Sequence, residues 1–576
     1  MIASSREPSS PSSRGDRNGP LDRMQDALES LVAPSPSSSP PQHKRGGSSA
    51  SVEPSPWRWK TPVVLLLSLI IAAVCLSVDL DPAHPNASKG LLVLLITALW
   101  WVTEVVPLVV SAFLPVVLYP LLRVASSGEL AHKFFTGVSF MFISGFMVAH
   151  GVEHWRLHER ALCAITASIK PSAERLVGGC MLAVWSMSMW LPNVFPVLAF
   201  LPVAESFLET LPPGHEHFRR GFILAIGWAA TCGGLATPVG TPTNGIFLEL
   251  YAQFWPAEPD FSFATFTLCA APLSLLLLVC LWLGFCTNFI WRNPEQRPRI
   301  NPEVFVQKYR SLGKTSWEEI VIGITFSTLI VLWFTMSPIG EAFPGWKSAV
   351  APGLNAGSVG LAFMLPLFLI PSGRCLPSRA RRAIGEERCA SRSHPDALTV
   401  LEWESAVKSG TLSQLFQLLF VFGGGASLAL GTKKSGLASV LAKLLARATS
   451  GRLLFFALST LSVSAVTEMV SNMATLSIFG PVLTATAHHA GLGALQALLA
   501  VTLASSFGFM LPMSTGPNLV IFSRGNIPLS FMARQGAYLN VAAIVLGTLY
   551  FTYVLPLTLL GEQEVEPTGM RDGKGG

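Results

Sequence analysis

The stretch "VTEMVSNMATLSIFGPV", residues 466–482, lies deep in an apolar segment, yet it carries Thr467, Glu468, Ser471, Asn472 and Thr475. Hydrocarbon offers such groups no hydrogen-bond partner, so polar, interrupted backbone is tolerated at membrane depth only where it lines a cavity or is buried in protein. The stretch therefore reads as the tip of a helix–turn–helix hairpin over 454–487. A second copy lies 279 positions earlier, where "SMWLPNVFPVLAFLP" (188–202) matches "TEMVSNMATLSIFGP" (467–481) and pairs Asn193 with Asn472 and Pro202 with Pro481. Pro192 disrupts any continuous helix there and predicts a matching hairpin over 174–210.

Two further pairs keep the same order. "FISGFMVAHGVEHWRL" (142–157) matches "FGGGASLALGTKKSGL" (422–437). "TCGGLATPVGTPTN" (231–244) matches "SSFGFMLPMSTGPN" (505–518) and pairs Asn244 with Asn518. The last pair predicts two broken helices, over 221–250 and 493–525. The chain thus divides into a first half, 61–316, and a second half, 317–560. A disordered Ser/Pro/Arg-rich arm, 1–60, precedes them, and a short acidic tail, 561–576, follows.

Half of the residues are hydrophobic and only 13% are charged, too little charge for a soluble chain of this length. Apolar runs such as Thr61–Val78, Ala271–Ile290 and Tyr538–Leu560 approach or exceed the ~18 residues of a spanning helix. They are continuous rather than alternating, which excludes a barrel. The fold class is an all-α polytopic membrane protein in a lipid bilayer, with about eleven spanning helices plus two re-entrant hairpins. The nine cysteines are scattered without CxxC or metal-type spacing, which predicts neither disulfide framework nor zinc site. The modest net charge of +6 sits in loops and points to no nucleic acid.

Arg58 and Lys60 precede the first span, and the loops at 212–220, 291–314 and 372–392 are basic. The positive-inside rule places these and the N-terminus in the cytosol and the C-terminus outside. The first half then enters the bilayer in the opposite sense to the second. Inverted repeats with interrupted helices are the architecture of secondary transporters, with the binding site near the midplane. Half-helix N–H ends suit an anion and carbonyl ends suit Na⁺. No convergent catalytic set and no P-loop occurs, so neither an enzyme nor an ATP-driven pump is expected. Glu104, Glu153, Glu205 and Glu468 are intramembrane acids; burial in a structural role suits Glu104 and Glu468 better than proton relay. The sequon at Asn86 is not expected to be used, because it lies close to the membrane.

At "LWWVTEVVPLVVSAFLPVVLYPLL" (99–122), "GVEHWRLHERAL" (151–162), "SMWLPN", "FGGGASLALG" and "FMLPMSTGPN" the chain resembles the divalent anion/sodium symporters. This is the animal-type branch of sodium-coupled dicarboxylate, citrate and sulfate cotransporters, and the resemblance runs from about residue 60 to 560. It implies a homodimer working as an elevator-type transporter, with Na⁺ as coupling ion and no organic cofactor. By position it implies one Na⁺ site at Ser188, Pro192, Asn193 and Gly240, and another at Thr467, Val470, Asn472 and Ser514. The anion would meet Asn193, Val194, Thr241, Ser471, Asn472, Met473 and Thr515. The family's tips read Ser-Asn-Thr, whereas this chain has Pro192-Asn193-Val194 and Ser471-Asn472-Met473. The expected function is secondary active transport of a divalent or trivalent anion coupled to Na⁺, in the plasma membrane or an organelle membrane. A proton-coupled carrier, an anion exchanger and a non-transporting anion sensor stay open as alternatives.

Overall fold

A computed structural model describes residues 57–167, 172–292, 303–338, 344–373, 398–448 and 451–559. The arm up to residue 56, the tail 561–576 and most of the loop 372–392 lie outside the described residues. Among those described there is helix and one isolated antiparallel bridge, Pro371 with Thr399. Helices of eight or more residues are numbered in chain order.

The first, α1 (Trp57–Ser77), starts inside the expected arm, because Trp57 to Lys60 already form its first turn. It is followed by α2 (Ala87–Thr103), α3 (Leu114–Leu121), α4 (Gly137–His154) and α5 (Leu157–Ala167). Next come α6 (Ala173–Ser188), α7 (Val194–Glu209), α8 (Glu216–Gly234), α9 (Pro242–Phe254) and α10 (Phe263–Phe285). The short α11 (Glu303–Ser311) leads into α12 (Trp317–Phe334) and α13 (Ala356–Met364). The second half holds α14 (Thr411–Lys434), α15 (Leu437–Ala448), α16 (Arg452–Thr467) and α17 (Asn472–His489), then α18 (Ala494–Ala504), α19 (Gly516–Arg524) and α20 (Leu529–Leu549).

Only five of these stretches are long and apolar enough by themselves to cross a membrane: Lys60–Ser77, Phe263–Trp291, Trp317–Phe334, Thr411–Lys434 and Leu529–Leu559. The other expected spans are shorter or divided, and local chemistry accounts for it. Pro107, Pro115 and Pro120 cut 107–122 into a four-residue turn and α3. The 134–165 segment divides at Arg156 (φ +58°), and 409–446 divides at Gly436 (φ +76°). These two left-handed residues occupy matching places in the repeat, each one residue before a matched leucine, Leu157 or Leu437.

The core centres on α14, most of which is buried, whereas α1 faces outward along most of its length. The sequence Gly423-Gly424-Gly425 explains how α14 can be crowded from three sides. A Cβ built on these glycines would meet the Phe134 ring, the Ala112 carbonyl and the Ser477 hydroxyl respectively, each within 2.4 Å. Such approaches are open only to residues without a side chain.

Candidate functional site

The segments 174–210 and 454–487 each hold two contacting helices. α6 and α7 pack together across Met189–Asn193, and α16 and α17 pack together across Glu468–Ser471. Leu235–Thr241 separates α8 from α9, and Ser505–Thr515 separates α18 from α19.

Each hairpin tip is tied to the broken helix of its own half. Ser188 Oγ donates to Asn193 Oδ1 (3.1 Å) and to the Ala230 carbonyl (2.7 Å). In the second half Thr467 Oγ1 is bonded to Asn472 (2.8 Å) and to the Ser505 carbonyl. Within each broken helix an asparagine then closes the gap. Asn244 Nδ2 donates to Gly234 O (3.0 Å) and Thr237 O (2.7 Å). Asn518 Nδ2 donates to Gly508 O and Leu511 O (both 3.0 Å) and to Ser514 Oγ (2.9 Å).

At the second tip the amide of Asn472 faces three oxygens. One of its terminal atoms lies 2.8 Å from Thr467 Oγ1, 3.0 Å from the Ser505 carbonyl and 3.1 Å from the Ser514 carbonyl. An amide can present either its nitrogen or its oxygen there. The nitrogen would donate to all three and close the site. The oxygen would complete a cluster of four oxygens in which the Thr467 hydroxyl is the one donor, a set that suits a small cation. The residues present therefore fit Na⁺.

The sequence pattern of the sodium:sulfate symporter transmembrane region matches residues 57–560. The chain belongs to this family.

Membership places it among sodium-coupled anion transporters rather than enzymes. Relatives include Na(+)/dicarboxylate cotransporter 3 of Mus musculus, 28% identical over 84% of this chain and 90% of that protein. The sodium-dependent dicarboxylate transporter SdcS of Staphylococcus aureus is 28% identical over 86% of this chain and 92% of its own length. Among solved structures, the Alcanivorax borkumensis YdaH transporter aligns with a TM-score of 0.49 at 14% identity, covering 76% of this chain and 88% of that one.

The family's expected positions fall at the hairpin segments' turns and at the helix breaks. Gly240 packs on Gly234, where a Cβ would lie 2.6 Å from the Gly234 carbonyl, and Gly234 in turn abuts the Asn193 amide. Thr515 caps α19 by accepting from Asn518 N (3.4 Å), whereas Thr241, at the matching place, makes no cap bond. Ser471 Oγ caps α17 by accepting from Ala474 N (3.3 Å), and the Met473 carbonyl accepts from Ser477 Oγ (2.8 Å).

Two positions stand apart. Pro192, on the Na⁺ list, lines an apolar cavity with Phe142, Trp190, Val239, Leu329 and Trp333, and its carbonyl already accepts from Phe195 N (2.9 Å). Val470 is buried in an apolar cluster with Trp101 and Ala474, so only its carbonyl could serve an ion. Val194 reaches across to the other half, where a Cβ on Gly516 would come within 2.5 Å of Val194 Cγ2.

Sequence reasoning missed the Ala230 and Ser505 carbonyls, since any residue supplies one. It noted Asn244 and Asn518 only as repeat matches, not as the residues that close both breaks. It also missed the role of Asn540 beside Glu468. For the sequon, Ser88 is buried and its hydroxyl donates to the Val78 carbonyl (2.5 Å).

Proposed function

We propose that this chain is a secondary active transporter that moves a dicarboxylate, or a related anion such as citrate or sulfate, together with Na⁺. The observation that carries the reading is the convergence of Asn472 with Thr467 Oγ1 and the Ser505 and Ser514 carbonyls. This neutral oxygen cluster sits where two half-helices end, the setting in which transporters coordinate coupling cations. Dicarboxylate is favoured because the relatives above are named for it.

The anion lies between the two tips, against Asn193, Ser471, Asn472, Thr241 and Thr515. Val194 and Met473 border it with apolar surface. One Na⁺ occupies the second cluster, and another lies at Ser188, Asn193 and Gly240. Pro192 lowers the oxygen count of that first site and makes it the weaker of the two. The hairpins are re-entrant, the halves are inverted, and the hairpins with their broken helices move as an elevator within a homodimer in the plasma membrane. Several Na⁺ per anion make transport electrogenic, since one net charge across 100 mV is worth about 2.3 kcal/mol.

The experiment is uptake of labelled succinate, citrate and sulfate into proteoliposomes with an inward Na⁺ gradient, and again with choline replacing Na⁺. Accumulation that requires Na⁺ supports the reading. Equal uptake in choline assigns the fold to proton coupling or exchange. Binding of anion without flux in either medium assigns it to a sensor.

A further inference from the structure

We propose that Glu468 is a positioning residue for the second cation site: its buried carboxylate fixes the gap in the second broken helix and supplies the negative charge that the oxygen cluster lacks. The inference rests on the reading that Asn472 and its neighbours bind Na⁺.

Glu468 follows Thr467 directly and is buried. Its carboxylate accepts from the backbone N–H groups of Phe509 (2.8 Å), Met510 (2.9 Å) and Leu511 (3.0 Å), and from Asn540 Nδ2 (2.5 Å). Asn540 Oδ1 accepts from Phe509 N (3.2 Å) as well, which locks the amide in place. Every group named here as facing the carboxylate is a donor, an arrangement that suits the anion.

These three N–H groups lie between Ser505 and Ser514, whose carbonyls face Asn472. Glu468 therefore holds the gap by its donors, while Asn518 holds Gly508 and Leu511 by their carbonyls. Pinned from both sides, the gap presents the two carbonyls to an ion at a fixed separation, and little reorganisation remains when the ion arrives. Successive backbone N–H groups of this kind otherwise form an anion-binding nest. Since Glu468 fills it, the transported anion is left to the hairpin tips.

The first half has no such device. Met189 occupies the place matching Glu468. Leu235 N and Ala236 N bond instead to the Cys232 and Gly233 carbonyls of their own helix, and Thr237 Oγ1 donates to the Met189 carbonyl. The cluster around Asn472 is made of neutral oxygens, so a cation there would carry an uncompensated charge in a low-dielectric site. A carboxylate on the residue next to Thr467 offsets that charge, and the second site binds its ion more tightly than the first.

The test is a Na⁺ titration of succinate uptake in proteoliposomes for the wild type, Glu468→Gln, Glu468→Asp and Asn540→Ala, each checked for monodispersity. Glu468→Gln is expected to raise the Na⁺ half-saturation about tenfold or more, the loss of one charge-assisted contact. The succinate KM at saturating Na⁺ should stay within about twofold, because the carboxylate does not face the anion. Glu468→Asp should recover part of the shift. If the Gln variant does not fold, Asp and Asn540→Ala carry the test, each expected to raise the half-saturation about threefold. Na⁺-dependent wild-type uptake with unshifted variants overturns this proposal alone. A variant that changes succinate KM and leaves Na⁺ half-saturation unmoved also overturns it. Wild-type uptake indifferent to Na⁺ overturns the reading beneath it.

Discussion

Asn244 and Asn518 stand 274 positions apart and make the same two bonds. Each donates through Nδ2 to the carbonyls ten and seven residues before it, Gly234 and Thr237 in one case, Gly508 and Leu511 in the other. In both halves the amide ties carbonyls of the break to the helix that follows it.

Replacing either asparagine with alanine removes these ties, although the Thr237 carbonyl still accepts from Gly240 N and the Gly508 and Leu511 carbonyls still accept from Ser514 Oγ. Asn518→Ala and Asn244→Ala are each expected to cost about 1–3 kcal/mol, read as a fall in the thermal midpoint of the purified protein. An unchanged midpoint in both would show that the gaps hold themselves.

Asn472 is central to the second cluster. Asn472→Ala should take Na⁺-driven uptake to background while expression and monodispersity stay at wild-type levels. Normal transport by this variant would remove the site from Asn472 altogether.

Gly245 lies where α9 meets α4 and α14. A Cβ on it would come within 2.4 Å of the Phe142 ring and 2.7 Å of the Phe422 ring, two residues at matching repeat positions whose rings meet edge to face at 5.1 Å. Gly245→Ala should destabilise by about 1–3 kcal/mol through overpacking, and Gly245→Leu should not fold. A stable, active Leu variant would mean that α9 does not press on this pair.

Arg160 fixes the corner between α11 and α12. It pairs with Glu319 (3.0 Å) and donates to the carbonyls of Leu312, Gly313 and Lys314, with both side chains largely buried. Arg160→Ala leaves a buried carboxylate without its cation and should cost about 3–5 kcal/mol. Chemical unfolding would register it, and a loss below about 1 kcal/mol would mean that water replaces the guanidinium.

Glu129 is held at about 2, first by Lys434 and then by the backbone and hydroxyl of Ser126. A lowered carboxyl adds stability above its ordinary titration range, and that contribution is lost as pH falls through the lowered value. The difference in thermal midpoint between wild type and Glu129→Gln should be flat from about pH 8 to about pH 5 and vanish toward pH 2. No difference at any pH would mean that the Lys434 pair does not form.

Much of this was legible in the letters. Pro192, the paired asparagines and the interrupted polar runs give segment limits of 174–210 and 454–487, and the helices there begin or end within about two residues of those limits. Apolar runs such as Ala271–Ile290 became helices because length and hydropathy alone decide them. The count of uninterrupted spans was not legible. The segment 134–165 carries the polar run Glu153 to Arg160, yet only the left-handed turn at Arg156 shows that it is two helices. Arginine gives no hint of that conformation, whereas Gly436 does. The site was half legible for a related reason. Side chains such as those of Asn193, Thr467 and Asn472 are written in the sequence, but the Ala230 and Ser505 carbonyls beside them are not. Nor could Pro192 be seen to turn its ring into an apolar cavity, since its neighbours Val239 and Leu329 are distant in sequence.

Each hairpin's second arm lies not only beside its own partner but against the opposite half: α7 touches α19 at Val194 and Gly516, and α17 touches α9 at Gly480 and Leu250. A chain that arose by doubling a shorter one would have lost its freedom to divide again. A change in either copy is felt in the other's lobe, so the two copies must drift in step, and a gene cut between them would yield fragments that need each other to fold.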